Sequence, residues 1–343
     1  MIYTNISYQN IIKMKFISFY YFFVSLIVSF WTSKLFINKF SNSKLSKSKL
    51  NDENRVQTNF RNHIPIRGGG IAFILSIIIV NLPFVFHKGF NSSMKLTLFC
   101  LPLMIIGYLD DYKHIPKHIR FLIQIFSSSL IIFSSPFLTR NISDINIINI
   151  LLFIFLIIFI ISVINFINFT DGIDGLVAGC MIINFTTIAI IKDNSLFTIV
   201  GALIGFLIWN WSPAKVFMGD IGSTFLGAFF CGILFYNYEL TESIPLILTA
   251  SPLLADALIC LPRRYFHGEP IFRKPHKLHL YQRLEKSGWS HSKISLTYII
   301  STLILSLSFL FLGTIGLSIF LSIEFIYAYY LDQYVALSFK EAI

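Results

Sequence analysis

Residues 147–175 read IINILLFIFLIIFIISVINFINFTDGIDG, and this stretch decides the fold class. Its first 20 residues, 147–166, carry no charged side chain, and about 20 mostly apolar residues are what an α-helix needs to cross a bilayer. Polar residues follow at once, among them Asn168, Asp171 and Asp174. The stretch therefore predicts a membrane-spanning helix that ends in a carboxylate-containing loop.

The composition of the whole chain agrees with a membrane protein. Of 343 residues, 55% are hydrophobic and only 13% are charged, whereas a soluble domain carries about 25% charge. The mean hydropathy is +0.72, which excludes intrinsic disorder as well as a soluble fold. The four cysteines are Cys100, Cys180, Cys231 and Cys260. Because no CxxC spacing joins them, neither a disulfide framework nor a zinc site is expected.

Similar apolar runs recur and predict an all-α polytopic membrane protein with about eleven transmembrane helices. The spans are expected at 16–38, 70–86, 95–110, 119–137, 147–166, 176–191, 196–211, 221–238, 243–262, 294–312 and 314–332. Together they form one multipass domain that covers residues 1–343. The first span is not expected to be a cleaved signal peptide, because its apolar run is too long and Trp31-Thr-Ser-Lys34 offers no small-residue cleavage site.

The basic residues assign the loops to the two sides of the membrane. The net charge is +10, and 20 of the 27 Lys and Arg residues lie in or beside one alternating set of loops. These loops are 39–69, 111–118, 167–175, 212–220 and 263–293. Since basic residues near span ends are retained in the cytoplasm, this set is predicted to be cytoplasmic and the N-terminus to lie outside.

Carboxylates are scarce, so their clustering at the same ends is informative. Of the 17 acidic residues, five stand at span ends on the predicted cytoplasmic side: Asp110, Asp111, Asp171, Asp174 and Asp220. Glycines flank the last three and permit turns and close backbone approach to a phosphate. Carboxylates at the membrane suggest a functional site. With the amide oxygens of Asn168 and Asn210, they suit Mg²⁺, which takes one or two carboxylates plus substrate phosphates; Mn²⁺ is an acceptable substitute.

Basic side chains on the same side supply the complement for phosphate groups. Arg67 precedes a glycine triplet, which is compatible either with a phosphate-binding turn or with a plain flexible entry to a span. The last cytoplasmic loop, 263–293, contains His276, His279 and Arg283. This loop favours anion binding over zinc, because no cysteine or carboxylate lies at ligand spacing to the histidines.

In their order along the chain, these motifs resemble those of the polyprenyl-phosphate N-acetylhexosamine-1-phosphate transferases of glycosyl transferase family 4. That group includes the enterobacterial UDP-GlcNAc enzyme and the enzyme that makes lipid I. The resemblance covers residues 63 to about 290, and about eleven spans suit the family. The matching stretches are Arg67–Gly70, Gly107-Tyr-Leu-Asp110-Asp111, Asn168-x-x-Asp171-Gly-x-Asp174-Gly-Leu176, Asn210-x-x-Pro213-Ala-x-x-Phe217-Met-Gly-Asp220-x-Gly-Ser223 and the loop around His279.

The resemblance implies a reaction in the bacterial inner membrane with an active site that faces the cytoplasm. A UDP-N-acetylhexosamine would give its sugar-1-phosphate to undecaprenyl phosphate and release UMP, initiating O-antigen or another cell-surface polysaccharide. A homodimer is compatible with this function, and no nucleic-acid partner is expected.

The resemblance also implies roles for individual residues. It implies Mg²⁺ at Asp220 and catalytic roles for Asp110, Asp111 and His279, with Asp110 either deprotonating or orienting the lipid phosphate. The residues expected to bind substrates are Arg67, Arg120, Asn168, Asp171, Asp174, Asn210, Phe217, His276 and Arg283. Of these, Phe217 matches an aromatic that can stack on uracil.

Two departures bear on the substrate. The last loop reads His279-Leu-Tyr-Gln-Arg283 instead of a consecutive histidine triplet, which is unlike the lipid I enzyme. It is closer to the O-antigen-initiating branch that uses UDP-GlcNAc or 6-deoxy sugars such as UDP-FucNAc and UDP-QuiNAc. His114 follows the aspartate pair where the lipid I enzyme has lysine. A lipid I-forming transferase stays the alternative substrate class.

A multipass ion- or proton-coupled transporter is the alternative from another functional class. Its carboxylates should lie near the bilayer midplane on broken helices. The clustering of the carboxylates at one face, beside polar loops, favours an enzyme that takes a cytosolic nucleotide.

Overall fold

The computed structural model describes residues 8–41, 65–89, 91–113, 115–136, 147–237, 240–268 and 277–342. Over these ranges the chain is helical and forms no β-strand, which confirms the predicted all-α class. The helices are α1 (Tyr8–Phe40), α2 (Gly70–Lys88), α3 (Ser92–Tyr112), α4 (Lys117–Phe133), α5 (Ile147–Thr170), α6 (Leu176–Ile191), α7 (Phe197–Asn210), α8 (Gly219–Asn237), α9 (Leu240–Thr249), α10 (Ser251–Phe266), α11 (Leu280–Lys286), α12 (His291–Tyr330) and α13 (Phe339–Ala342).

The described helices identify an integral membrane protein with several spans. Five of them, α1, α3, α5, α8 and α12, are long and apolar enough to cross a membrane. A sixth span results if α9 and α10, which meet at 82°, are counted as one broken span. The apolar part of α2, Gly70–Pro83, and the helices α6 and α7 are shorter. The polytopic architecture is therefore confirmed, while the number of eleven spans stays a prediction.

Helix α12 divides at one glycine into two halves of span length. Gly313 has φ 67° and ψ −157°, which interrupts the helix between the spans expected at 294–312 and 314–332. The helix contains 40 residues, which is about 60 Å at the usual rise. That length is about twice the hydrocarbon thickness of a bilayer, so the break allows the two halves to cross separately.

The core of the bundle is built around α8. This helix packs against α2, α3, α4 and α5, and 83% of its span is buried by them, against 28% for α5. On the outer side of α5, Leu151, Phe155 and Ile158 are exposed. A contiguous apolar surface is unfavourable in water but expected toward lipid. All four cysteines are buried and none forms a disulfide.

Candidate active site

Two polar loops of the site are held side by side by backbone hydrogen bonds. The Phe217 N–H donates to the Ile66 carbonyl oxygen at 2.8 Å, and the Gly69 N–H donates to the Phe217 carbonyl oxygen at 2.9 Å. The pairing forms one parallel β-bridge between Ile66 and Val216. It places Arg67 next to the turn that leads into Asp220, although about 150 residues separate them in the chain.

Glycines allow the helix starts to meet closely enough to form a site. A Cβ atom on Gly70 would lie 2.5 Å from the Gly222 Cα atom, so the starts of α2 and α8 touch through backbone. Gly219 has φ +71°, and a Cβ atom there would collide with Asp111 Oδ2. A residue with a side chain would be strained at that φ. The Asp111 carboxylate therefore lies directly against the turn that carries Asp220.

Arg120 joins two of the predicted carboxylates. Its Nη1 atom lies 2.8 Å from Asp110 Oδ2 and 3.2 Å from Asp220 Oδ2. The other oxygen of Asp110 accepts a hydrogen bond from the Ile115 N–H at 2.7 Å. The Asp110 side chain is only 4% exposed and the Asp220 side chain 31%. The buried Asp110 thus orients the Arg120 guanidinium from the protein interior, whereas the Asp220 carboxylate stays partly exposed.

A small polar cleft of about 60 Å³ lies between these loops. Its walls include seven of the residues singled out from the sequence: Arg67, Asp111, Asn168, Asp171, Asn210, Phe217 and Asp220. Asp110 and Arg120 connect to it through Asp220. The volume is well below the roughly 300 Å³ or more of ligand pockets, so it fits an ion with part of a phosphate group.

The carboxylates of the cleft repel one another. Burial, followed by the charges of Asp220 and Asp111, raises the pKa of Asp171 well above its ordinary value, while Arg67 acts in the opposite direction. A cation would relieve this repulsion. Among the described residues, no three His, Cys, Asp or Glu side chains are arranged to hold a metal ion by themselves. These carboxylates would hold Mg²⁺ only if substrate phosphates completed its coordination, as they usually do.

Asp174 and Asn210 shape the backbone around the cleft. The Asn210 side chain accepts from the Gly175 N–H at 3.1 Å and donates to the Val216 carbonyl oxygen at 2.9 Å. Asp174 Oδ2 accepts from the Ala214 N–H at 3.2 Å. Both residues are buried, so they join the loop at 171–175 to the loop at 211–218.

His291, which the sequence analysis does not assign to the site, supports this loop. Its Nδ1 atom is 3.3 Å from Asp174 Oδ1, and its Nε2 atom is 2.9 Å from Glu285 Oε1. A single imidazole thus contacts a carboxylate at each nitrogen and connects α11 with the cleft loop. Nothing in the spacing of these three residues along the chain indicates the contact.

His279 does not line the cleft. It is 3% exposed, and its Nδ1 atom lies 3.4 Å from Asp256 Oδ1. Asp256 also accepts from the Leu280 N–H and the Tyr298 hydroxyl, each at 2.8 Å. Asp256 is a lone carboxylate within the predicted span 243–262, and that position is the signal by which it could have been found. The catalytic role of His279 stays a prediction.

The pair with Asp256 determines the charge of His279. Burial alone lowers the pKa of the imidazole, but the hydrogen bond and the charge of Asp256 outweigh it and raise the pKa to about 10. His279 is consequently an imidazolium at neutral pH and stabilises the loop as a cation.

We expect His279→Gln to lower the thermal stability of the detergent-solubilised protein in a pH-dependent way. A raised pKa in the folded state means that the stabilisation is fully present below about pH 6.5 and is lost as the pH rises through about 10. The difference in Tm between wild type and variant should therefore be largest near pH 6 and shrink toward pH 10. His118→Gln, at an exposed position, is the control; a Tm difference that grows with pH would contradict the assignment.

Tyr281 connects α11 to the cleft. Its hydroxyl donates to the Phe169 carbonyl oxygen at 2.8 Å, and a Cβ atom on Gly172 would collide with that hydroxyl. The loop that contains Asp171 thus rests on the Tyr281 side chain.

Of the two remaining predicted residues, Arg283 stands apart from the cleft. Arg283 is buried and pairs with Asp332 near the end of the chain. His276 lies outside the described residues. Their assignment to substrate binding stays a prediction.

These features define the class of protein. The chain is an integral membrane protein with a polar cleft where helix ends converge, and carboxylates, an arginine and an aromatic ring line that cleft. Such a lining is expected where a charged, phosphorylated substrate binds.

Comparison with known proteins places the chain in a family. The model of glycosyl transferase family 4 matches residues 93–237, from α3 to α8. The chain is 30% identical over 283 residues to the probable undecaprenyl-phosphate N-acetylglucosaminyl 1-phosphate transferase of Bacillus subtilis, covering 74% of this chain and 76% of that protein. The chain belongs to glycosyl transferase family 4, which confirms the resemblance seen in the motifs.

Two other relatives extend over similar lengths. The phospho-N-acetylmuramoyl-pentapeptide-transferase of Listeria monocytogenes is 30% identical over 305 residues, covering 81% of this chain and 92% of that protein. The protein of the same name from Staphylococcus haemolyticus is 31% identical over 278 residues, covering 71% and 84%. The chain is an enzyme of the phosphosugar transferase class to which these relatives belong.

Proposed function

We propose that the protein transfers N-acetylhexosamine-1-phosphate from a UDP-sugar to undecaprenyl phosphate and releases UMP. The observation that carries the proposal is the Asp110–Arg120–Asp220 cluster at the mouth of the cleft. It occurs in a chain whose relatives are named as transferases of phosphorylated amino sugars. The cleft lies where helix ends meet, and a lipid phosphate from the bilayer and a soluble nucleotide can both reach such a position.

The barrier in this reaction is the repulsion between two anions, the lipid phosphate and the diphosphate. Arg120 and Arg67 offset the negative charge, and the loops position the two groups, which are the main contributions to phosphoryl transfer. An oxygen of the lipid phosphate attacks the β-phosphorus in line. The bond from that phosphorus to the bridging oxygen breaks, and UMP leaves with the oxygen.

Asp110 acts on the lipid phosphate as a base or as an orienting group. A phosphate is already largely ionised near pH 7, so a base is not compulsory. Both oxygens of Asp110 accept hydrogen bonds, from Ile115 and Arg120. This arrangement favours the orienting role, in which Asp110 holds the guanidinium toward the phosphates.

A bound Mg²⁺, or Mn²⁺ in its place, would neutralise charge on the diphosphate, and Asp220 is the residue proposed to hold it. Asp111 and Asp171 stand beside Asp220 in the cleft wall. Phe217 presents an aromatic ring to the same cleft and is proposed to stack on the uracil.

The proposed setting is the bacterial inner membrane with the cleft facing the cytoplasm and the N-terminus outside. The product, a polyprenyl diphosphate sugar, would initiate O-antigen or another cell-surface polysaccharide. UDP-GlcNAc or a 6-deoxy-N-acetylhexosamine nucleotide such as UDP-FucNAc or UDP-QuiNAc is the proposed donor. Undecaprenyl phosphate and the lipid bilayer are the proposed partners. A second copy of the chain, in a homodimer, is also proposed.

A second candidate is the transfer of phospho-N-acetylmuramoyl-pentapeptide. The relatives from Listeria monocytogenes and Staphylococcus haemolyticus carry that name. The last loop disfavours this candidate, because it reads His279-Leu-Tyr-Gln and has no consecutive histidine triplet.

A panel of donors tests both candidates. With detergent-solubilised protein, undecaprenyl phosphate and Mg²⁺, we expect UMP release from UDP-GlcNAc or one of UDP-GalNAc, UDP-FucNAc and UDP-QuiNAc. Little or no release is expected from UDP-MurNAc-pentapeptide, because the loop lacks the histidine triplet. Robust turnover of that last donor would overturn the proposed branch, and no turnover of any donor would favour a transporter.

A further inference from the structure

The segment after α12 returns to the end of the bundle that carries α11 and packs on it. We call residues 331–342 the clamp segment. Asp332, in its first turn, accepts hydrogen bonds from Arg263 Nη1 at 2.9 and 2.8 Å. Asp332 also pairs with Arg283 Nη2. One carboxylate of the clamp segment thus binds an arginine of α10 and an arginine of α11.

The Arg283 guanidinium depends on this partner. Its side chain is 2% exposed, and burial together with the nearby charge of Arg263 lowers the pKa of Arg283. A buried charge needs a close counter-charge, and removal of one partner of such a pair is strongly unfavourable. The Arg283 guanidinium also donates to the Leu337 carbonyl oxygen at 2.9 Å, and the Leu337 N–H donates to the Arg283 carbonyl oxygen at 3.4 Å.

An aromatic ring completes the contact between the clamp segment and the two arginines. The Phe339 ring centroid lies 4.4 Å from Arg263 Cζ and 5.7 Å from Arg283 Cζ, within the range of cation–π attraction. The ring is buried with Cys260 and Leu278. The clamp segment therefore holds α10 and α11 together by charge and by apolar packing.

The other side of α11 reaches the cleft. Helix α11 has seven residues, Leu280–Lys286, and a helix that short has no stability of its own. Arg283 faces the clamp segment, whereas Tyr281 donates to the Phe169 carbonyl oxygen and packs on Gly172. The position of Tyr281 under the loop of Asp171 thus depends on contacts on the opposite side of a short helix, together with the hydrogen bonds from the Leu280 and Tyr281 N–H groups to Asp256.

We propose that Asp332 is a positioning residue for binding of the nucleotide sugar. Through Arg283 it holds α11, and with it Tyr281, against the loop that contains Asp171. Asp332 touches none of the cleft residues, so it acts through α11 and, by way of Arg263, through α10. This assignment rests on the proposed function, since it names the group that keeps the Asp171 loop of the proposed substrate cleft in place.

The kinetic test compares Asp332→Asn with Asp332→Glu in the detergent-solubilised full chain. Asp332→Asn should raise the KM for the UDP-sugar about tenfold with kcat changed less than about twofold, because a displaced loop weakens binding of ground state and transition state alike. Asp332→Glu should restore most of the loss. Glu341→Gln is the matched control, since Glu341 is exposed and hydrogen-bonds to Ser338 within the clamp segment.

A second measurement separates this inference from the proposed function. Amide hydrogen exchange of residues 280–286 should be faster in Asp332→Asn than in wild type, while exchange in α8 is unchanged. A wild-type protein that turns over no UDP-sugar would refute the proposed function, and the exchange data would still test the clamp. If Asp332→Asn fails to fold, Phe339→Leu replaces it under the same criteria. Unchanged KM together with unchanged exchange in the folded variant, or a loss of kcat at constant KM, would overturn the positioning role.

Discussion

Asp220→Asn is expected to lower UMP release by about a hundredfold to a thousandfold, which is the range seen when a preorganised group that stabilises charge in a transition state is removed. The substitution keeps the shape of the side chain and removes its charge. Asp220 is the more exposed of the two carboxylates in the Asp110–Arg120–Asp220 cluster, and it is the residue proposed to hold Mg²⁺. Loss of its charge would therefore weaken the binding of Mg²⁺ and disturb the orientation of the Arg120 side chain.

The same substitution should leave the fold intact. The ion pair of Asp220 with Arg120 is partly exposed on both sides, and such pairs contribute about 1 kcal/mol or less. The matched control is Glu242→Gln, which alters an exposed carboxylate 2.8 Å from Lys192 at the other end of α6. UMP release should be measured across a Mg²⁺ titration. Retained activity with unchanged Mg²⁺ dependence in the folded variant would refute the metal assignment.

Gly107→Ala is expected to destabilise the protein and to reduce activity about a hundredfold, the loss that accompanies a displacement of about 1 Å at a reacting group. A Cβ atom on Gly107 would lie 2.7 Å from the Cα and N atoms of Ile221 and 2.8 Å from the carbonyl carbon of Asp220. These are backbone atoms and cannot turn aside. Helices α3 and α8 would have to separate, which moves Asp220 away from Asp110 and Asp111.

Helix propensity and packing have opposite effects on the stability of the Gly107→Ala variant. Alanine is favoured over glycine in a helix by about 1 kcal/mol, whereas overpacking costs about 1–3 kcal/mol. We expect packing to dominate at Gly107. At Gly232 the new methyl group would meet a methyl group of Leu96 at 2.8 Å, and that side chain can move. Gly232→Ala is therefore the control. Thermal unfolding and UMP release would decide, and wild-type values for Gly107→Ala would refute the close approach.

Much of the site could be predicted from local features of the chain. Asp110, Asp171 and Asp220 stand out because carboxylates are rare in this sequence and each lies at the end of an apolar run. Glycines beside them indicate tight turns. The structure brings Asp171 and Asp220 into one cleft wall with Arg67, and joins Asp110 to it through Arg120.

The contacts of the last loop could not be predicted in this way. From the sequence motifs alone, Arg283 is expected to bind a substrate and His279 to act in catalysis. The structure pairs Arg283 with Asp332 and His279 with Asp256, and no motif in the sequence indicates either pairing. Asp256 stands alone within an apolar helix, and Asp332 follows the last predicted span.

The amino-acid sequence by itself determined that this protein is a helical membrane protein with a carboxylate-rich site at the ends of its spans. Hydrophobicity and the scarcity of charge are properties of consecutive residues, so they can be read along the chain. Only the tertiary structure decided which charges meet, that Arg120 bridges Asp110 and Asp220 and that Asp332 holds Arg283. The reason is that an ion pair depends on distances of a few ångströms between helix ends, and the packing of the whole bundle sets those distances.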